Sequence, residues 1–387
     1  MINKIFIIAG EKSGDNLGGK LITELLKLNN QLEIKFIGGN KMQAALAAKQ
    51  EESPFSMQDI NLMGFAEILP HAFKLIKRIG QTVTVIKKFK PDIVVTIDSP
   101  GFNFRVVKKL REYNGLKNTK FIHYVAPSVW AYKPERAKKT ARLYNKLISI
   151  IPWEKPYFEA EGLDTKYFGH PIFEDIHLVQ EHEVNELRDK YNISEGDKII
   201  SVLPGSRAGE IKKHTNILRD GLKELFQKNH NLKIFLLPTK EVRKFLEREV
   251  AGWKLRCNII DDEQEKQKIL QISGLAMVKS GTVALEVAAQ NVPHFIFYKA
   301  NPISAWFLRR IINIKFANLI NISANKEIVP ELLQENFTCK KVIEISQQIM
   351  NNTTYKSQMM QEMAVEIAKF KAENNPSKLT AIEILKK

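Results

Sequence analysis

Asp92-Ile93-Val94-Val95-Thr96-Ile97-Asp98-Ser99-Pro100-Gly101-Phe102-Asn103-Phe104 is the stretch whose reading decides the fold class. Residues 92–97 form a β-branched run of strand character, Pro91 stands at its start, and Pro100-Gly101 forces a turn before the next helical pattern. Ligands in open α/β sheets bind in the crevice outside the carboxyl ends of the strands, so Asp98 stands where such folds keep their chemistry. An aspartate in a turn also caps the backbone two residues on, and this segment alone leaves both roles open.

Strand-like runs recur on either side. Residues 4–9, 34–37, 120–125 and 146–151 join 92–97 in the first half, with helical patterns between most of them. After Gly169-His170-Pro171 the series restarts at 198–203, 233–237, 258–260, 275–278 and 294–297. Alternation of this kind predicts parallel sheets, and its restart predicts two doubly wound, Rossmann-like α/β domains. The Gly-Pro punctuation and the polar stretch 179–189 place the boundary between domains 1–170 and 171–387. From Lys340 onward the apolar residues fall at helical spacing, which predicts a helical C-terminal tail with Pro376 opening its last helix.

Composition narrows the function. A chain of 387 residues, 44% hydrophobic and 26% charged, has an ordinary soluble composition at a length that favours two domains. No run of about 18 apolar residues occurs, and the amino terminus runs straight into a strand, so a cytoplasmic protein without membrane span or signal peptide is expected. Cys257 and Cys339 lie far apart and lack metal-site spacing. The net charge of +16 favours an anionic partner, whether phosphorylated substrate, phospholipid or nucleic acid. Nucleic acid has only this charge in its favour, since neither an RNP-type aromatic motif nor an arginine-rich tail accompanies it.

Two turns in the second half suit a phosphate. Leu203-Pro204-Gly205-Ser206-Arg207 takes a strand into a turn where Gly205 permits close backbone approach, Ser206 donates a hydrogen bond and Arg207 offers a bidentate pair. Lys279-Ser280-Gly281-Thr282-Val283-Ala284-Leu285-Glu286 puts a glycine at a helix start, where free N–H groups attract anions. Glu286 lies one turn beyond Thr282 on the same face, within reach of a ribose hydroxyl. Together these residues describe a nucleoside diphosphate site; the plainer alternatives are a surface arginine and a solvated glutamate.

The first half carries Gly10-Glu11-Lys12-Ser13-Gly14-Asp15, which matches neither the dinucleotide nor the Walker pattern. It forms a wall of the crevice holding Asp98, unless Ser13 or Asp15 merely caps its helix. His123-Tyr124-Val125-Ala126-Pro127-Ser128-Val129-Trp130 ends a strand in a turn with an aromatic face suited to a sugar, whereas His123, inside the strand, reads as a hydrogen-bonded core residue. Apolar and basic residues mix in 61–89, including Leu69, Phe73 and Lys77, and again at Trp306-Phe307-Leu308-Arg309-Arg310. Each mixture suits a membrane surface, and each also suits a core-facing helix with a solvated back.

The motifs, in register over nearly the whole chain, resemble the lipid-A-disaccharide synthase family. Ala9 to Asp15, Met63-Gly64, Ile97-Asp98-Ser99-Pro100 with Phe102-Asn103, and His123 to Ala131 carry the resemblance in the first half. Gly169-His170-Pro171, Leu203 to Arg207, Ser280-Gly281-Thr282 with Glu286, and Pro330-Glu331-Leu332-Leu333-Gln334 carry it in the second. The resemblance implies a GT-B fold and an inverting transferase that uses neither metal nor cofactor. It implies UDP-2,3-diacylglucosamine as donor, held on the second domain by Gly205, Ser206, Arg207, Ser280, Gly281, Thr282 and Glu286. It implies 2,3-diacylglucosamine 1-phosphate as acceptor on the first domain, with Asp98 as general base. Glu11, Ser13, Asp15, Ser128, Trp130 and Asn321 become candidate acceptor contacts, and Leu69, Phe73, Lys77, Trp306 and Arg309 candidate contacts to anionic inner-membrane lipid. Two departures stand out: Gly101 replaces an aspartate found in some members, and a Pro-Asn pair is here Ile320-Asn321. Another UDP-sugar transferase with a lipid acceptor, or a non-enzymatic membrane- or anion-binding protein, remain the alternatives.

Overall fold

The computed structural model describes residues 2–60, 65–301 and 314–386, with 65–72 as backbone. It contains two compact units: residues 1–174 together with 370–387, and residues 175–369.

In unit 1, strands β1 (Lys4–Ala9), β2 (Glu33–Ile37), β3 (Ile93–Ile97), β4 (Lys120–Tyr124), β5 (Lys146–Ser149) and β6 (Asp164–Tyr167) form one sheet of order β2-β1-β3-β4-β5-β6. Its helices are α1 (Lys12–Leu28), α2 (Asn40–Ala45), α3 (Phe65–Phe89), α4 (Pro100–Arg111), α5 (Arg136–Leu143) and α6 (Lys155–Glu159). Every pairing is parallel, which leaves both faces to be covered by helices. Successive strand residues point to opposite faces, so Ile5, Ile7 and Ala9 pack with Leu21, Ile22 and Leu25 of α1. Phe6, Ile8 and Val94 pack on the other side with Ile79, Val83 and Ile86 of α3.

Unit 2 repeats the plan with β7 (Lys198–Leu203), β8 (Leu232–Leu236), β9 (Cys257–Ile259), β10 (Leu275–Lys279), β11 (His294–Tyr298) and β12 (Glu331–Leu333), in the order β12-β11-β10-β7-β8-β9. Its helices are α7 (Glu181–Tyr191), α8 (Ala208–Lys228), α9 (Arg243–Val250), α10 (Glu263–Gln271), α11 (Thr282–Ala289), α12 (Leu319–Ala324), α13 (Cys339–Asn351) and α14 (Thr353–Ala368). The chain then returns to unit 1 as α15 (Pro376–Leu385). Two parallel six-stranded sheets clothed in helices are the doubly wound pair expected from the alternation of strands.

The boundary differs from the one read off the Gly-Pro punctuation. The break falls after Glu174, and α15 belongs to the first unit rather than to 171–387. Ala381 and Ile384 are buried among Ile5, Ile7 and Ile93; Lys146 pairs with Glu383; and Ser377 donates from its N–H and its hydroxyl to Glu174 at 2.7 and 2.9 Å. Periodicity reports that a helix has an apolar face, whereas the sheet that face covers is decided by contacts hundreds of residues away.

Candidate active site

Each sheet has one point where the chain reverses its direction of winding, and the sequence motifs sit at those points. In unit 1 the reversal lies between β1 and β3, whose register pairs Ala9 with Ile97. Gly10 and Asp98 therefore leave the sheet side by side. In unit 2 it lies between β7 and β10, where Leu203 pairs with Val278, so Pro204-Gly205 and Lys279-Ser280 emerge together.

Asp98 and Ser99 both adopt left-handed backbone conformations, with φ of 48° and 46°. Two such non-glycine residues in succession cost about 1–3 kcal/mol each and persist only where the surroundings dictate them. Buried Asn103 holds the corner by donating from Nδ2 to the Asp98 and Ile97 carbonyls at 2.7 and 3.2 Å. Gly10 makes room, since a β-carbon there would stand 2.5 Å from Ser99 Oγ. The Ser99 N–H donates to Asp98 Oδ1 at 2.7 Å, and Oδ2 accepts no hydrogen bond from the described residues. Burial raises the Asp98 carboxyl above the ordinary aspartate range, with the Ser99 N–H acting in the opposite sense. The result is a carboxylate of enhanced basicity.

Around it the first-half candidates separate. Glu11 joins the corner, accepting from Ser99 Oγ at 3.4 Å, and Ser13 is exposed in the first turn of α1. Asp15 does not belong with them. It is 4% exposed, and its two oxygens accept the N–H groups of Gly39, Lys41 and Met42 at 2.7–3.1 Å, capping α2. His123 is the core residue expected, 2.7 Å from Thr96 Oγ1 and stacked on Tyr144, with burial depressing it to about 3.

Ser128 is exposed on the loop after β4, and Trp130 is half-buried, its Nε1–H donating to Glu154 Oε1 at 3.0 Å. Glu154 was not foreseen, although Ile151-Pro152-Trp153-Glu154 places a lone acid just past a strand end, as at Asp98. It is fully buried, with Ser149 Oγ 2.6 Å from its Oε2. Burial pushes it up to about 7, and the negative charge of Asp98 adds to the rise.

In unit 2 Gly205 has φ of 112°, a conformation that favours glycine, and a β-carbon there would stand 3.2 Å from a Glu210 carboxylate oxygen and 3.4 Å from the Lys279 stem. Ser206, Arg207, Gly281 and Thr282 are exposed around this turn, while Ser280 and Glu286 are half-buried. Asn321 takes no part. It is fully buried, donates from Nδ2 to the Val329 carbonyl and to Glu331, and accepts the Ile328 and Val329 N–H groups at 2.8 and 2.9 Å. An amide with all four hydrogen bonds used inside the fold has none for a substrate.

Phe73 and Lys77 are exposed on α3; the Leu69 side chain, Met63-Gly64, Trp306 and Arg309 lie outside the described residues. Among the described residues no cluster of His, Cys, Asp and Glu is placed to hold a metal ion.

The sequence profile of the family described as lipid-A-disaccharide synthetase matches residues 5–383. The chain belongs to the lipid-A-disaccharide synthase family. The synthase of Rickettsia felis is 40% identical over 394 residues, covering 100% of this chain and 96% of that protein. That of Rickettsia bellii is 43% identical over 344 residues, covering 87% and 85%. Membership of this family makes the chain a glycosyltransferase, a hexosyltransferase acting in lipid A biosynthesis. Among solved structures, a UDP-GlcNAc 2-epimerase from Neisseria meningitidis bound to UDP-GlcNAc matches 99% of this chain and all of that one, at 15% identity and a TM-score of 0.63. A glycosyltransferase from Rickettsia africae matches 100% and 99%, at 14% identity and a TM-score of 0.58. Likeness at such identities speaks for the fold, which is of the GT-B type.

Proposed function

We propose that the enzyme transfers 2,3-diacylglucosamine from UDP-2,3-diacylglucosamine to 2,3-diacylglucosamine 1-phosphate. The products are the β-1,6-linked disaccharide 1-phosphate and UDP. Asp98 takes the proton of the acceptor 6-hydroxyl as that oxygen attacks the anomeric carbon. The carbon–oxygen bond to UDP breaks on the opposite face, its electron pair leaves with UDP, and the configuration inverts. Arg207 and the N–H groups at the start of α11 stabilise the charge that collects on the departing diphosphate. Gly205, Ser206, Ser280 and Thr282 line that site and Glu286 meets the ribose. Glu11, Ser13, Ser128 and Trp130 contact the acceptor. The observation that carries the reading is the Asp98 corner: a strained, half-buried carboxylate with one oxygen that accepts nothing from the described residues, at the winding reversal of its sheet, in a chain of this family.

In the assay, purified enzyme receives both lipids and released UDP is followed. Wild-type protein should release UDP only when both lipids are present. Asp98→Asn should lose about 10²–10⁴-fold in kcat, the range of general base catalysis, while UDP binding is kept. Near-normal turnover by the variant would remove Asp98 from this role, and UDP release with an unrelated acceptor alone would point to a different transferase.

The same reading places the enzyme in the cytoplasm, peripherally on the inner face of the membrane that holds its acylated substrates. No described helix is long and apolar enough to cross a membrane. Phe73 and Ile76, 87% and 61% exposed, give α3 an uncovered apolar face beside Lys77 that suits anionic lipid.

A further inference from the structure

Three charged side chains meet at the winding reversal of unit 2. Glu210, in the first turn of α8, receives Arg207 at 3.4 Å and Lys279 at 3.3 Å, both on Oε1. Its other oxygen is buried without a hydrogen-bond partner, against the space left by Gly205. Lys279 ends β10 with its side chain 19% exposed, its ammonium 5.1 Å from the Tyr298 ring and 3.9 Å from where a β-carbon on Gly281 would stand. It therefore overhangs the start of α11. His214, fully buried and depressed to about 4, contributes no charge.

We propose that Lys279 is a ligand of the donor's diphosphate, and that Glu210 is an internal competitor for the same two cations. The proposal rests on reading unit 2 as the UDP site and adds to it a third charged contact and an opposing one. Arg207 and Lys279 supply two positive charges and Glu210 withdraws one, so the clamp offers an incoming anion a net +1. A diphosphate must displace the carboxylate from both cations, which a nucleoside without phosphate has no means of doing. Glu210 has one oxygen paired twice and the other buried and unpaired, so losing both cations to the diphosphate costs it further and sets its competition against donor binding.

Calorimetric titration of the full chain with UDP, pyrophosphate and uridine tests this. Lys279→Met should weaken UDP and pyrophosphate by about tenfold or more, the scale of a lost charge-assisted contact, and leave uridine unchanged. Lys279→Arg should restore most of the loss. Glu210→Gln, which raises the clamp to +2, should tighten UDP by roughly threefold to fivefold, the scale of a part-exposed ion pair. Thermal melts of each variant report folding, and equal loss of UDP and uridine in Lys279→Met would mark a structural role and overturn the assignment. UDP affinity unchanged in Lys279→Met, or weakened in Glu210→Gln, would also overturn it while leaving unit 2 as the UDP site. Wild-type protein that binds pyrophosphate but not UDP would sink the donor reading itself.

Discussion

Burial assigns Glu154 a proton in the folded protein at acid pH. Ser149 Oγ accepts the Ile151 N–H at 3.1 Å, and its own hydrogen faces two acceptors, the Ile151 carbonyl at 2.8 Å and Glu154 Oε2 at 2.6 Å. Trp130 Nε1–H donates to the other oxygen at 3.0 Å. Burial chiefly, and the Asp98 charge after it, raise this carboxyl from 4.5 to about 7. The sign follows from which state holds the proton longer. Folded protein keeps it as the pH rises past 4.5 while the unfolded chain gives it up, so stability is lost between about 4.5 and about 7 and levels off above. The loss at neutral pH amounts to about 3 kcal/mol at most, from one pKa unit being about 1.4 kcal/mol. Glutamine keeps the shape of the neutral acid and has no titrating proton. Glu154→Gln should therefore match wild type in melting temperature near pH 4.5, gain on it towards pH 7 and keep a constant lead beyond. Melting curves that stay parallel across that range would refute the assignment.

Helix α3 shows at the level of an element why part of the reading was legible. Ile79, Val83 and Ile86 recur at helical spacing and are buried, as the periodicity of 61–89 predicts for a core-facing helix. Phe73 and Ile76 lie three residues apart on another face and stay uncovered, while Lys74 and Arg78 are tied to Asp59. The core-facing reading holds for one face of this segment, and the uncovered face is the one the membrane proposal concerns. Local signals elsewhere were read in part: β-branched runs gave ten of the twelve described strands, all but β6 and β12, and Pro204-Gly205 gave the turn after β7, whereas Pro100-Gly101 opens α4 and the corner itself is made by Asp98 and Ser99. What stayed hidden depends on partners far along the chain. Asp15 caps α2 from 25 residues before it, Asn321 ties down the 328–331 segment, and α15 covers a strand that begins the chain. Glu154 and Lys279 sit at strand ends like Asp98 and were open to the same argument. For α3 the expectation is that Phe73→Ser with Ile76→Ser lowers partitioning onto phosphatidylglycerol vesicles about tenfold or more, since burial of such side chains is worth about 1.5–3 kcal/mol each. Partitioning equal to wild type would free α3 from any membrane role.

The chain as a whole enters unit 2 once and leaves it once, so unit 2 is continuous and unit 1 is built from two pieces. The crossing points lie against one another inside unit 1, where the His170 N–H donates to the Phe370 carbonyl at 2.8 Å and Gly169 is packed against Ala372. Residues 1–174 alone would leave bare the sheet face that α15 covers. Ile384 is 1% exposed there, and truncating a buried isoleucine costs about 2–5 kcal/mol before any other contact of the helix is counted. Total stabilities of about 5–15 kcal/mol leave little room for such a loss. The expectation is that residues 1–174 alone form a loosened state that binds a hydrophobic dye and melts without a sharp transition. The same residues joined to 370–387 by a glycine-serine linker of about six residues, ample for neighbouring ends, should melt cooperatively. Residues 175–369 should fold unaided and bind UDP as the full chain does. Equal melting of the two forms of unit 1 would mean that α15 is a passenger on that sheet, and the second piece would then have no part in holding the Asp98 corner in place.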